Sequence, residues 1–397
     1  MNKPSLYINA CGIINALGSS RQEVLQNLIA GNTNGVVPWD IKVQGKTVYV
    51  GQVDSALPSV PNRLSQFNCR NNQLMLSTLL QIEAEVEALK SRYSLNRIAV
   101  VLGSSTSGIL EGENALQEKS ETGQFPDAFH YRQQEIGTPA IFLRDYLGLS
   151  GLAYTVSTAC SSSAKVFASA RRLMDSDLCD AVIVGGSDSL CRLTLNGFSS
   201  LESVSAGRCL PMSANRDGIN IGEAAALFIV SREQSDIALL GVGESSDAHH
   251  MSAPHPEGVG AIQAMEAALK QAGLDSSEVD YINMHGTATR LNDAMESIAI
   301  EHVFGSTTPV SSTKPLVGHT LGAAGATEVG FCWLLLSNGN LDGRLPPHIW
   351  DDAIDESIPA INLVKSGKSI VISSGTALLS NSFAFGGNNA SVIIGRS

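Results

Sequence analysis

The chain has 397 residues, 43% hydrophobic and only 16% charged, with 37 glycines. That is too long for one ordinary core and too apolar for disorder, so two domains or one large double domain rich in close backbone approaches is expected. A formal net charge of -12 leaves no basic excess to neutralise phosphates and excludes broad nucleic-acid binding; an acidic partner protein would need a local basic patch.

Seven cysteines form no CxxC pair and no zinc-type spacing, and an odd number cannot close a disulfide set. They read as reduced thiols in a cytoplasmic protein. In the opening stretch MNKPSLYINACGIINALG the apolar run is interrupted at Asn9, Gly12 and Asn15, which suits a first strand and turn better than a secretion signal. No apolar run approaches the ~20 residues needed to span a bilayer.

In chain order, residues 1–55 read as a strand, a short helix (SRQEVLQNLIAG) capped by Ser19 or Ser20, and a hairpin-like segment at VQGKTVYVG. Residues 71–91 have helical spacing, with Leu76, Leu79, Leu80 and Val86 as an apolar stripe. The strand IAVVLG (98–103) is followed by a polar, glycine-punctuated stretch, 104–129, read as a surface excursion or a dimer-covering arm. Next comes the stretch on which the chain turns, YTVSTACSSSAKVFASA (154–170): a β-rich run, a stop at residues 157–159, then Cys160 and a helix of small and apolar residues. A thiol at such a turn meets unpartnered backbone N–H groups and the positive end of a helix dipole, which lowers its pKa below the usual ~8.5 and makes it a nucleophile. AVIVGGSDS (181–189) reads as a buried strand, and SREQSD (231–236) as a polar connector between ALFIV and IALLGVG.

The second half repeats this order. VDYINMHG (279–286) answers IAVVLGSS, and PVSSTKPLVGHTLGAAGATEVGFCWLLL answers TVSTACSSSAKVFASARRL, with IVISSG (370–375) and SVIIG (391–395) as later strands. Such a repeat implies two similar α/β halves, 1–233 and 234–397, sharing one site. It also places His285 and His319 just beyond strand ends, like Cys160, with Lys314 between them, and active sites of α/β proteins collect at such ends.

TACSSS (158–163), HGTAT (285–289), STKPLVGHTLGAAGATE (312–328) and NSFAFGGNN (381–389) are joined by RDGINIGEAA (216–225) and DAHHMSAPHPEG (247–258). Together, and in this order, they make the chain resemble the β-ketoacyl-acyl-carrier-protein synthases of the type I/II elongation class. The resemblance implies the α/β thiolase-like fold, with duplicated halves in five αβαβα layers. It implies decarboxylative condensation of an acyl group held on Cys160 with a malonyl thioester on an acyl carrier protein. His285 and His319 would then donate to the enolate oxygen, and the backbone N–H groups of Cys160 and Phe385 would form a second oxyanion hole, with Gly386 and Gly387 allowing the close approach. Lys314 and Glu328 correspond to a buried ion pair. Thr287 and Thr289 would bind the pantetheine arm, and Phe198 and Thr106 would contact substrate. No cofactor is implied beyond the phosphopantetheine carried by the substrate, and no metal, the cluster Asp247, His249, His250 and His255 being a structural loop.

Departures are present too. Ala384 stands where the family has glycine, Asn388 where it has threonine, and Met212 where it has an aromatic residue. Thr106 replaces an isoleucine at the far end of the acyl pocket, a smaller and more polar lining that suggests a polyunsaturated or aryl-primed chain. Glu202 stands where a basic carrier-docking residue is common, leaving Arg63, Arg70 and Arg208 for that role. A homodimer, or a heterodimer with a related ketosynthase-like chain, is implied. Two other readings stay open: a non-catalytic chain-length partner, against which Cys160 argues, and a degradative thiolase, which would want a second catalytic cysteine where only Cys332 is available.

Overall fold

A computed structural model describes residues 5–43 and 45–397. Met1–Pro4, part of the stretch read from sequence as a first strand, and Gln44, part of the stretch read as hairpin-like, lie outside the described residues. The first half runs β1 (Leu6–Ile14), α1 (Arg21–Ile29), β2 (Val36–Pro38), β3 (Tyr49–Gly51), α2 (Arg70–Leu80), α3 (Glu83–Arg92), β4 (Ile98–Gly103), α4 (Ile109–Thr122), α5 (Thr138–Leu147), β5 (Ala153–Val156), α6 (Ser162–Asp175), β6 (Ala181–Asp188), α7 (Arg192–Ser200), β7 (Ile221–Gly222) and β8 (Ala224–Ser231). The second runs β9 (Ile237–Ser246), α8 (Val259–Ala272), β10 (Tyr281–Asn283), α9 (Arg290–Phe304), β11 (Pro309–Ser311), α10 (Lys314–Val317), α11 (Ala324–Leu336), β12 (Asn362–Leu363), β13 (Ala377–Ala384) and β14 (Asn388–Arg396).

Among the described residues one sheet has the strand order β12-β11-β10-β13-β14-β9-β1-β8-β6-β4-β5. Its two ends are copies of one pattern. In the first half β4 runs parallel to β5 and β6, then β6 to β8 and β8 to β1 are antiparallel. In the second, β10 runs parallel to β11 and β13, then β13 to β14 and β14 to β9 are antiparallel. The halves meet where Leu6 and Tyr7 pair with Leu239 and Ala238.

Side-chain alternation along the strands builds the layers. On β4, Ala99 and Val101 enter a central core with Phe167 of α6 and Phe331 of α11, while Ile98, Val100 and Leu102 face the outer helices through Leu79 and Phe142. On β14, Val392 and Ile394 point to the same central core and Ile393 points outward to Met265 of α8. The order is therefore outer helices, half-sheet, the pair α6 and α11, half-sheet, outer helices. The central pair packs closely because its contact residues are small: a Cβ on Gly325 would lie 2.5 Å from the Ala164 backbone nitrogen. Helix α6 sits as close to β4, where a Cβ on Gly103 would lie 2.4 Å from the Ser163 nitrogen.

Several local expectations are corrected. The helical stretch 71–91 is two helices, broken near Ile82, and Leu80 is 49% exposed instead of joining the stripe. Residues 104–107 are no surface excursion but a mostly buried turn; only α4 beyond them is exposed along most of its length. IVISSG is not a strand: the pairing role falls to β13, and Val371 is exposed. Ser20, not Ser19, caps α1 by accepting from the Glu23 N–H.

Candidate active site

Cys160 sits where β5 gives way to α6. Ala159 adopts φ 53°, in the left-handed region, and turns the backbone sharply there. Ser162 Oγ accepts from the Thr158 N–H (2.9 Å) and donates to the Ala159 carbonyl (2.5 Å), which fixes the turn. The thiol is thereby held at the floor of a cavity of about 260 Å³.

The second half brings the imidazoles to the same floor. His319 follows α10, and its backbone is clamped to the segment before β8: its N–H donates to the Asn220 carbonyl (2.6 Å) and its carbonyl accepts from Gly222 (2.9 Å). This clamp is the role of the RDGINIGEAA stretch. His285 follows β10, and its N–H and that of Gly286 donate to the two carboxylate oxygens of Glu296, at 2.7 and 2.6 Å. His319 Nε2 lies 3.0 Å from Cys160 Sγ, and the two imidazole rings meet edge to face at 5.3 Å. The sulfur and one nitrogen of each ring all lie within 4.8 Å of one another.

The electrostatics correct one expectation. Burial pushes the Cys160 thiol up to about 11, outweighing the Lys314 charge and the backbone N–H groups of Phe385 and Cys160 that favour the thiolate. One of those N–H groups comes from the turn and the other from the loop after β13, but burial costs the thiolate more than they return. His285 and His319 are both held well below the ordinary imidazole range, first by burial and then by Lys314, with His319 adding to the effect on His285. The resting site is thus a neutral thiol beside two neutral imidazoles. Such a donor set has spacing that a soft metal ion accepts, yet a cation here would meet the Lys314 charge that already opposes protonation of both rings.

Lys314 forms a buried ion pair with Glu328 of α11, and burial raises the Glu328 carboxyl against that attraction. Phe385 and Phe198 line the cavity with their ring centroids 5.6 Å apart. Behind Phe385, Gly386 and Gly387 take φ of 83° and 73°, and the loop is tied down by Gly386 N–H to the Met251 carbonyl (2.8 Å) and Asp247 N–H to the Gly387 carbonyl (2.9 Å). These two glycines shape the turn and do not line the cavity. Ala384 ends β13 in ordinary strand pairing opposite Asn388, so the family's glycine is not needed at that position.

The residues described as Beta-ketoacyl synthase, N-terminal domain match positions 6–236, and those described as Beta-ketoacyl synthase, C-terminal domain match 237–348. The chain belongs to the β-ketoacyl synthase family. It is 33% identical to 3-oxoacyl-[acyl-carrier-protein] synthase 2 of Rhizobium meliloti, over 75% of this chain and 73% of that one. It is 27% identical to the protein of the same name from Staphylococcus aureus, over 97% of this chain and 99% of the other. Among solved structures it is similar to a chain of the ketosynthase (ApeO) in complex with its chain length factor (ApeC) from Xenorhabdus doucetiae, with 48% identity, a TM-score of 0.94 and coverage of 99% and 98%. It is also similar to the ishigamide ketosynthase/chain length factor, at 25% identity and a TM-score of 0.86 over 100% of both chains.

Within this β-ketoacyl synthase fold Thr287 and Thr289 line the cavity with their hydroxyls 2.9 Å apart. Thr106 does not reach it. Its hydroxyl and backbone N–H both donate to Asp188 (2.8 Å each), so it gives no grounds for inferring an unusual acyl chain. Arg70 has its guanidinium paired with the buried Glu223 carboxylate, whereas Arg63 is exposed and donates to the Asp145 and Tyr146 carbonyls. Cys332 is buried in α11 and outside the cavity, which removes the footing of the thiolase reading.

Sequence reasoning missed three buried carboxylates that hold the site. Asp188 gathers donors from residues 104–106 and the Ala323 N–H; Asp293 accepts from Met212 (2.8 Å) and Ala288 (3.2 Å); Glu296 carries the His285 turn. The signal was present in acidic residues among apolar and small ones, at the end of β6 and in the first turns of α9, where an unpaired charge would be costly.

Proposed function

We propose that the chain extends an acyl group, held as a thioester on Cys160, by a two-carbon unit from a malonyl group on acyl carrier protein, with release of carbon dioxide. The observation that carries this reading is one thiol and two neutral imidazoles converging on the buried floor of one cavity. Cys160 Sγ attacks the incoming thioester carbonyl, the carrier's thiol departs, and the proton leaving Sγ returns to that departing sulfur. His319 Nε2 lies 3.0 Å from Sγ, where its N–H stabilises the developing thiolate.

Malonyl decarboxylation then leaves an enolate whose oxygen needs fixed donors. Burial and Lys314 keep His285 and His319 neutral, so each can offer one ring N–H, and the demand at this oxygen is for Nε2–H. The enolate carbon attacks the acyl carbonyl on Cys160. The oxyanion formed there falls to the N–H groups of Cys160 and Phe385, the same groups that favour the thiolate at Sγ. Incubation of the purified chain with acyl and malonyl carriers tests the reading: intact mass of the protein should rise by one acyl group, and 3-oxoacyl carrier should form. A Cys160→Ala chain that still condenses would overturn it.

The partner of this reading is a related chain. Likeness to ketosynthases solved with a chain length factor supports a heterodimer in which this chain, with its nucleophile intact, is the catalytic member. The outer edge of β5 ends the sheet among the described residues, with Leu152 46% and Tyr154 37% exposed beside it, a surface suited to strand addition. Co-expression with a chain length factor followed by size-exclusion chromatography tests this; a homodimer unaffected by the second chain would favour self-pairing. Seven unpaired, buried cysteines support a reducing, cytoplasmic setting, and among the described residues no helix is long and apolar enough to cross a membrane.

A further inference from the structure

One wall of the cavity climbs from floor to solvent along a short stretch of chain. His285 and Thr287 are buried, Thr289 is half-buried and Arg290 is exposed, and all four line the same cavity. The chemistry changes on the way up, from an imidazole at the reacting end, through two hydroxyls, to a guanidinium at the rim. A pantetheine thioester presents the matching series: a thioester at its tip, amides along its length and a phosphate at its root.

The rim gives Arg290 a distinct electrostatic task. Among the described residues that line the cavity it carries the one full positive charge, and the exposed carboxylates of Glu202 and Asp217 line the same mouth. An anion arriving there meets repulsion except at Arg290. The backbone beneath is held firm from behind: Arg216, buried and paired with Asp355 (2.6 Å), also donates to the Ser213 carbonyl (2.7 Å) and to the Arg290 carbonyl (3.3 Å). Arg290 also opens α9, whose first turn has no capping side chain, so the helix dipole adds to its field without being the source of the site. Neither Arg63, Arg70 nor Arg208 lines this cavity.

We propose that Arg290 is the positioning residue that receives the phosphodiester at the root of the carrier's pantetheine arm, setting the depth at which the thioester reaches Cys160. This rests on the condensing-enzyme reading above. A guanidinium can offer two parallel N–H donors to phosphate, whereas the hydroxyls of Thr287 and Thr289 address the neutral part of the arm.

The test compares two small donors carrying the same acyl group, acyl-pantetheine and acyl-4′-phosphopantetheine, using intact-mass measurement of Cys160 acylation by the full chain with any partner it pairs with. The native protein is expected to use the phosphorylated donor at a KM lower by about tenfold, the size of one charge-assisted contact. In Arg290→Ala that ratio should fall to near one, Arg290→Glu should invert it, and Arg290→Lys should restore most of it. A ratio unchanged in Arg290→Ala, or a native enzyme indifferent to the phosphate while acylating normally, overturns the assignment and leaves the condensing-enzyme reading standing. Failure of the native chain to be acylated by either donor, or by acyl carrier protein, overturns both.

Discussion

At the scale of single residues, the nucleophile and its neighbours divide the work by burial. His319 touches the sulfur and is also one of two donors for the enolate, so His319→Ala should affect two steps unequally. The acyl adduct should still form, more slowly, because backbone N–H groups and Lys314 remain, while carbon dioxide release from malonyl carrier should drop by about 10²–10³, the usual effect of losing one oxyanion donor. Radiolabelled malonyl carrier and protein mass read the two steps separately. Glu296 offers a pH signature. Burial raises its carboxyl to about 7, above its unfolded value, so the stability it contributes is fully present below about pH 4.5 and is lost as pH rises through 7. Urea midpoints measured across that window should fall less steeply with rising pH in Glu296→Gln than in the native chain. Cys160, His285, His319 and Lys314 were readable from sequence because each lies in a distinctive run beyond a strand end, and Glu328 because it is an acidic residue in the small-residue run that becomes α11. The direction of the thiol's shift was not, because a turn and a dipole can be inferred from residue order, whereas the burial of the thiol depends on side chains far apart in the chain.

At the scale of elements, the reactive groups are held by close backbone packing. Cys160 lies two residues before α6, which crosses α11 at Ala164 and Gly325, where a Cβ on Gly325 does not fit. Gly325→Ala should therefore cost about 1–3 kcal/mol in urea unfolding and lower condensation as well, by pushing the start of α6 away from His319. Cys160→Ala, which adds nothing to the crossing, should unfold near the native midpoint. The order of strands and central helices followed from period-two runs and small-residue helices, and the equivalence of β4 with β10 and of β5 with β11 was visible in the repeat. What escaped was where polarity and pairing disagree. IVISSG has strand composition but pairs at its two ends, Ile370 N–H to the Gly343 carbonyl and Gly375 N–H to the Arg396 carbonyl, without a continuous ladder. STSG at 105–108 looks like a surface turn yet is buried because Asp188 satisfies its donors.

At the scale of the whole molecule, neither half owns the site. The first supplies the thiol and Phe198, the second both imidazoles and Phe385, and the central helices share a single core whose inner faces come from both half-sheets. The connector at 231–236 is tied at both ends, Glu233 to Arg92 and Tyr93, Asp236 to Arg396. A protease cut between residues 233 and 235 should therefore yield two bands on a denaturing gel, one peak in native chromatography and nearly undiminished condensation; separation into two inactive species would contradict the shared core. The β1 to β9 junction carries a further consequence. Since the strands on either side of the cut, β8 and β9, are each held by pairing with β1, covalent continuity is dispensable once folding is complete, and new chain ends opened at this seam would leave the catalytic pocket undisturbed.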